Sequence, residues 1–315
     1  MSGELERLLA GSKGRPFDVL CLGLNSLDHL CLVPGWPERG GKLRTERMEV
    51  GGGGQAATAA CALARLGHRV AYAGVRGDDA AGWEAEPALR SWGVDPAGLV
   101  IKPGTRSQQA FIMVERDGGE RTIIWYRDEA CRFEPADLDP ALVASSQVLH
   151  LDGHFQEASL EAARLARRAG LVVSLDGERV HPGSEELVSL CHLVLGCEDY
   201  PQRLTGEQDP ERALKRLAGL GPLWAGRTLG ARGAEMLAGG ELHRQAGFTV
   251  EALDTTGAGD VFHAGLLHGL LLGQGPAPAL ATACAAAALS VTGLGGRSAL
   301  PDRGQVARLA GRGTP

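Results

Sequence analysis

Residues Asp254 to Leu271 read DTTGAGDVFHAGLLHGLL. A short turn, Thr255 to Gly259, runs directly into an apolar helix. Its glycines let the main chain come close to a ligand. The first amides of a helix have no carbonyl of their own and carry the positive end of its dipole. Turn and helix together form a site for an anion, above all a phosphate. Asp260 stands at the head of this helix. A carboxylate there opposes a site that only binds phosphate. It fits a site in which it takes the proton from an alcohol that attacks a phosphoryl group. A plain capping role for Asp260 is the alternative.

Upstream of this segment, short apolar runs alternate with helical patterns. Strands are expected at Phe17–Leu24, Arg69–Val75, Gln147–Leu151, Leu171–Leu175, His192–Leu195 and Pro222–Ala225. Helices fit at Gln55–Leu66, Ala80–Ser91, Glu157–Arg168, Ser184–Leu190 and Asp209–Leu217. The alternation predicts an α/β fold with a mostly parallel sheet covered on both faces. Leu43–Val50, Gln108–Glu115 and Glu120–Tyr126 instead alternate polar and apolar residues. The last two are joined by Arg116-Asp117-Gly118-Gly119, a hairpin signal. These half-buried strands, at about 28–50 and 106–130, predict a small second sheet inserted in a single 1–315 domain. Such a sheet serves either as a lid over a crevice or as an edge extension without a part in catalysis. Pro276–Leu300 is alanine- and glycine-rich and broken by proline, a poor membrane span and a good tightly packed helix.

The chain has 315 residues, 44% hydrophobic and 22% charged, which excludes a disordered chain. At this length roughly three quarters of the unfolded surface can be buried. A net charge of −6 does not favour nucleic acid. The seven cysteines are scattered and form no C-x-x-C pair, which argues against a disulfide framework and a structural zinc site. No signal peptide is read at the start, so a cytoplasmic location is expected. There is no Walker A pattern.

The GAGD turn with its small-residue helix resembles the C-terminal signature of the ribokinase-like, or PfkB-type, carbohydrate kinases. Gly53-Gly54 with Ala64-Arg65-Leu66-Gly67 resembles their N-terminal signature. Asn25-Ser26-Leu27-Asp28 follows the first strand as the family's substrate aspartate does. Thr228-Leu229-Gly230 with Gly233 resembles a nucleotide-side turn, and Ala283–Thr292 the helix that walls the adenine. The resemblance spans nearly the whole chain. It implies a three-layer doubly wound fold with a β-sheet lid, ATP-dependent phosphorylation of a sugar hydroxyl, taken as primary, and magnesium carried with the ATP. Asp260 would be the general base, and Gly257, Ala258 and Gly259 the anion hole. Asp28, Gly53 and Gly54 would hold the sugar. Thr228, Gly230, Gly233, Thr256 and Cys284 would lie near the nucleotide. Asp254, Thr256, Gly295 and Ser298 match a monovalent-cation site, for potassium. The lid would pair two subunits into a homodimer.

Departures from the family pattern stand beside these matches. Thr58 replaces the Asn of the first signature. The usual Asn-x-x-Glu reads Cys197-Glu198-Asp199-Tyr200. Either Glu198 or Asp199 substitutes through water, since magnesium keeps several waters, or the metal requirement is weaker or the activity reduced. The stretch Val50–Gly67, with Gly41-Lys42, Ser107-Gln108 and Glu120–Ile124, resembles the sulfofructose kinase branch. A sulfonate or phosphate on the acceptor would need a cation; Lys42 and Arg127 are the candidates, with solvated surface charges as the alternative. A nucleoside kinase and a non-catalytic nucleotide- or sugar-binding regulator are the rival readings. Asp176-Gly177-Glu178 reads as an ordinary turn rather than a face toward ATP or metal, and His154 as a structural hydrogen-bonder. His263 and His268 lack the spacing of a zinc pair. Trp83 and Trp92 are expected to pack the core.

Overall fold

The computed structural model describes residues 3–311; the ends of the expected 1–315 unit, 1–2 and 312–315, lie outside the described residues. Thirteen strands are present among these residues: β1 (Phe17–Leu22), β2 (Ser26–Val33), β3 (Arg47–Gly53), β4 (Val70–Gly77), β5 (Val94–Lys102), β6 (Gln109–Glu115), β7 (Arg121–Tyr126), β8 (Ser146–Leu151), β9 (Val172–Gly177), β10 (Leu193–Gly196), β11 (Trp224–Thr228), β12 (Ala234–Ala238) and β13 (Glu241–Gln245). The helices are α1 (Gly3–Ser12), α2 (Gln55–Arg65), α3 (Ala80–Ser91), α4 (Pro140–Ala144), α5 (Gln156–Arg168), α6 (Ser184–Leu190), α7 (Tyr200–Thr205), α8 (Pro210–Gly219), α9 (Ala258–Leu271), α10 (Pro276–Ser290) and α11 (Arg303–Ala310).

Nine strands form the main sheet in the order β13-β12-β11-β10-β9-β8-β1-β4-β5. Pairing is parallel from β5 to β11 and antiparallel for β12 and β13. Successive residues of β1 bury on opposite faces. Val19 and Cys21 join the core under α2, α9 and α10, while Leu20 and Leu22 join the core under α5 to α8. A strand buried on both faces is apolar, which is why residues 19–22 show no alternation; Asp18 stands before the buried part and pairs with Arg69. The chain winds from β1 outward to β4 and β5, then returns to β8 and proceeds the other way. The order therefore reverses between β1 and β8, and ligands of such sheets bind at the carboxyl ends there.

The alanine-rich α10 lies along α9. A Cβ at Gly265 would stand 2.8 Å from the Cα of Ala283, so the two helices approach more closely than larger residues permit. Burying both helices this tightly explains an apolar segment that does not cross a membrane; no described helix is long and apolar enough to do so.

The small sheet has four strands in the order β3-β2-β6-β7, with β2 and β6 parallel. Its inner face, Leu30, Leu32, Ala110, Ile112 and Val114, packs on Leu294. The polar-apolar alternation is thus real, but the first of these strands begins at Arg47 and continues to Gly53 rather than spanning 43–50. Thr45 Oγ1 and the Glu46 amide both donate to the Leu32 carbonyl and end the ladder there. The hairpin turn places Gly118 and Gly119 at φ 110° and 68°, a conformation that demands glycine. Trp92 packs against the core as expected, but Trp83 does not: it is 59% exposed and lies over Arg76. All seven cysteines are free.

Candidate active site

A cavity of about 450 Å³ opens at the β1/β8 reversal, between the main sheet and the small one. Gly257 is the N-cap of α9, at φ 77°, and a Cβ there would come within 2.7 Å of the Gly296 Cα. Only glycine turns the chain here, and the turn presents Gly257 and Gly259 to the cavity beside Asp260. The Gly259 and Asp260 amides belong to the first helical turn, where a helix offers no acceptor. The Asp260 carboxyl is held well above the usual carboxylate range, first by burial and then by the charges of Asp176, Asp152 and Glu178.

Asp28 reaches the cavity from β2. It accepts from Ser26 Oγ at 2.7 Å, and burial raises its pKa. A Cβ at Gly53 would overlap its carboxylate, so the neighbouring strand must carry glycine there. Arg297 lies behind both. Its Nε donates to Thr58 Oγ1 at 3.2 Å, and its Nη2 donates to Asn25 Oδ1 at 3.2 Å and to the Gly53 carbonyl. Arg297 is 6% exposed and draws the Asp28 pKa down against burial. At Thr58, where the family pattern has Asn, the side-chain partner is a guanidinium from the far end of the chain, which no reading of local motifs reached. The signal was available as an arginine inside the glycine-rich apolar run GLGGRSAL.

Asp176 and Glu178 face the cavity instead of forming an ordinary turn. His263, three residues after Asp260 on α9, places Nε2 3.1 Å from Asp176 Oδ1. Burial pushes the Asp176 pKa up, but His263 outweighs it and the group sits below its usual value. His154 bonds Gln55 and lies 3.3 Å from Glu178, whose pKa it lowers. His154 is therefore both a hydrogen-bonder and a wall of the cavity. Asp152, just after β8, accepts from the Leu24 amide at 2.7 Å and the Ala56 amide at 3.3 Å, clamping β1 to α2.

Glu198 and Asp199 do not reach the cavity. Glu198 pairs with Arg232, and Asp199 with Arg203 at 2.9 Å. Tyr200 is buried behind Gly177 and Gly196 as a core residue. Of the four positions only Cys197 lines the cavity, and burial raises its thiol to about 11. Besides Asp28, the carboxylates that line the cavity are Asp176, Glu178 and Asp260. Among the described residues no three His, Cys, Asp or Glu side chains are grouped to hold a metal by themselves. A magnesium ion here would depend on phosphate oxygens and water, its ordinary habit.

The other expected site residues divide. Gly54, Arg127, Thr228 and Thr256 line the cavity. Lys42 does not; it is exposed in the loop before β3. Gly230 is an exposed turn at φ 58°, and Gly233 is buried in the turn into β12. Cys284 is in the core between α9 and α10, with its thiol raised to about 12 by burial, and does not face the cavity. Ala258 does not line it either. Asp254, fully buried behind the turn, accepts from the Thr256 amide at 2.8 Å and the Gly295 amide at 2.7 Å. Ser298 Oγ donates to the Gly295 carbonyl at 3.3 Å, and the buried Thr256 hydroxyl has no partner. Arg121, unforeseen, joins the small sheet to the turn: its Nη1 donates to Thr255 Oγ1 at 2.6 Å.

Residues 17–303 match the family model described as pfkB family carbohydrate kinase. The chain is 30% identical to the ribokinase of Haemophilus influenzae over 290 residues, 90% of this chain and 94% of that one. Its fold is similar to that of an adenosine kinase from Sinorhizobium meliloti, with TM-score 0.81, 25% identity and coverage of 93% and 99%. It also superimposes on Arabidopsis thaliana ribokinase complexed with ribose and ATP, with TM-score 0.77, 23% identity and coverage of 93% and 98%.

Proposed function

Because the chain belongs to the PfkB family of carbohydrate kinases, we propose that it moves the γ-phosphoryl group of ATP to a hydroxyl of a small sugar held by Asp28. The observation that carries this reading is the convergence of Asp260, the Gly257–Gly259 turn and Asp28 on one cavity at the sheet reversal. Asp260 takes the hydroxyl proton as the oxygen attacks the phosphorus in line. The turn's amides and the head of α9 meet the charge that gathers on the phosphoryl oxygens. Asp176 and Glu178 are the carboxylates to face the magnesium carried with the nucleotide, which would supply charge neutralisation when bound; the gathering of Asp176, Glu178 and Asp260 around one cavity, whose charges add to burial in raising the Asp260 pKa, supports a cation there. The unpartnered Thr256 hydroxyl and the buried Asp254 support a monovalent-cation site beneath the turn.

A second reading, an anionic acceptor, is favoured by the arginines of the cavity. Arg121, Arg127 and Arg179 all line it, and Arg127 keeps a buried Nη1 without a partner. With Lys42 outside, Arg127 is the residue placed to meet a phosphate or sulfonate. The small sheet acts as the lid in this account. Its outer face exposes Met48, Val50, Phe111 and Ile124, an apolar surface suited to pairing two copies. The free thiols suit a reducing compartment such as the cytoplasm.

The test is acceptor-dependent ADP release with ATP and magnesium over neutral sugars, sugar phosphates, sulfofructose, inositols and nucleosides, with and without potassium. One strong acceptor is expected. Preference for an anionic acceptor that is lost in Arg127→Ala establishes the second reading. Silence across the panel, with ATP still binding, would favour a non-catalytic binder.

A further inference from the structure

Arg76, the penultimate residue of β4, is 3% exposed. A guanidinium that deep is ordinarily met by a carboxylate, because an unpaired buried charge loses its hydration without replacement. Arg69 and Arg90, both more exposed, have such partners: Asp18 at 2.7 Å and Glu86 at 3.0 Å. Arg76 pairs with none among the described residues. Its Nη1 donates to the Gly77 carbonyl at 3.1 Å, its Cζ lies 4.4 Å from the centre of the Trp83 ring, and its Nε is buried without a hydrogen-bond partner.

Arg76 also lines a groove of about 540 Å³ whose other walls, Trp83, Glu86, Pro87, Arg90 and Ser91, all come from α3. The groove shares no residue with the active-site cavity. Two guanidiniums face one carboxylate there, so one positive charge is left uncompensated. The indole of Trp83 is 59% exposed and offers a flat apolar surface beside that charge. A guanidinium without a carboxylate partner attracts an oxyanion, and an aromatic face accepts a planar ring.

We propose that this groove is a second ligand site, which takes a phosphate-bearing anion with its phosphoryl group on Arg76 and its planar ring on Trp83. The full-length protein tests it by calorimetry, with AMP and inorganic phosphate titrated separately into wild type, Arg76→Met and Trp83→Ala. Wild type is expected to bind AMP at two sites, one of them lost in Arg76→Met. Trp83→Ala is expected to weaken AMP at that site at least tenfold while sparing phosphate. Without ligand, Arg76→Met is expected to melt no lower than wild type, because it removes an uncompensated buried charge. AMP and phosphate isotherms unchanged by Arg76→Met would overturn the site. A melting temperature lower by several degrees with those same isotherms would make Arg76 a structural tie instead. Should Arg76→Met fail to fold, Arg76→Gln, which keeps a donor for Gly77, carries the same expectations.

Discussion

The environment of Asp260 favours its protonated form, while the proposed chemistry needs it charged. With its pKa raised by burial and by neighbouring carboxylates, the folded state gains from protonation and bears the cost of the charged form as pH rises through that range. Asp260→Asn is therefore expected to raise the melting temperature at neutral pH while lowering kcat by ~10²–10⁴; thermal melts and steady-state rates measure the two effects separately. In wild type, kcat/KM is expected to fall as pH drops, with an acid limb above the usual carboxylate range, and Asp260→Asn is expected to lose that limb. Arg297 makes a second residue-scale case. Removing the Arg297 guanidinium takes away its bonds to Thr58, Asn25 and the Gly53 carbonyl and the charge that lowers the Asp28 pKa, and a hydrogen bond to a charged group contributes about 1.5–3 kcal/mol. Arg297→Met should lower stability in denaturant unfolding and raise KM for the acceptor more than for ATP. Asp260 was legible in the sequence because its turn and helix are local. Arg297 was not, because Thr58 lies 239 residues away and Asn25 lies 272 away. Asp176 was misread as a turn because its partner, His263, comes from a different element.

At the level of elements, the turn before α9 is held from two sides. Gly296 blocks any side chain at position 257, and Arg121 of β7 bonds Thr255. Gly257→Ala combines an unfavourable backbone angle with that close approach, a strain of order 1–3 kcal/mol. It is expected to lower both kcat and the midpoint of unfolding. Arg121→Ala breaks a link between the small sheet and the turn, and is expected to change kcat and KM together with little change in melting temperature. Effects confined to stability would detach the small sheet from catalysis. Strands buried on two faces were legible as apolar runs, and the hairpin of the small sheet as an Asp-Gly turn. The edge strands β5 and β13 were missed because edge strands carry no such run, and β12 because it is a short AEMLA segment whose pairing comes from β11 and β13 on either side. The bounds of β3 were missed because the Leu32 carbonyl ends its ladder from across the sheet.

Over the whole molecule, the reversal of strand order between β1 and β8 brings Asp28, near the start of the chain, to Asp260, near its end, in one cavity. That architecture was legible from the alternation of elements, but which arginines face the cavity was not: Lys42 and Arg127 looked alike as charges, and only tertiary packing separates them. The exposed outer face of the small sheet makes a second prediction at this scale. Phe111→Lys, which places charge in the middle of that face, is expected to shift the proposed dimer toward monomer in analytical ultracentrifugation, with little loss of thermal stability. The central claim is that Asp260 is the base of a phosphoryl transfer carried out in this cavity. The most direct measurement is ADP release on the best acceptor by wild type and Asp260→Asn, with ATP affinity taken by calorimetry on both. The account predicts turnover reduced by ~10²–10⁴ with ATP affinity nearly unchanged. Wild-type turnover in Asp260→Asn would contradict it.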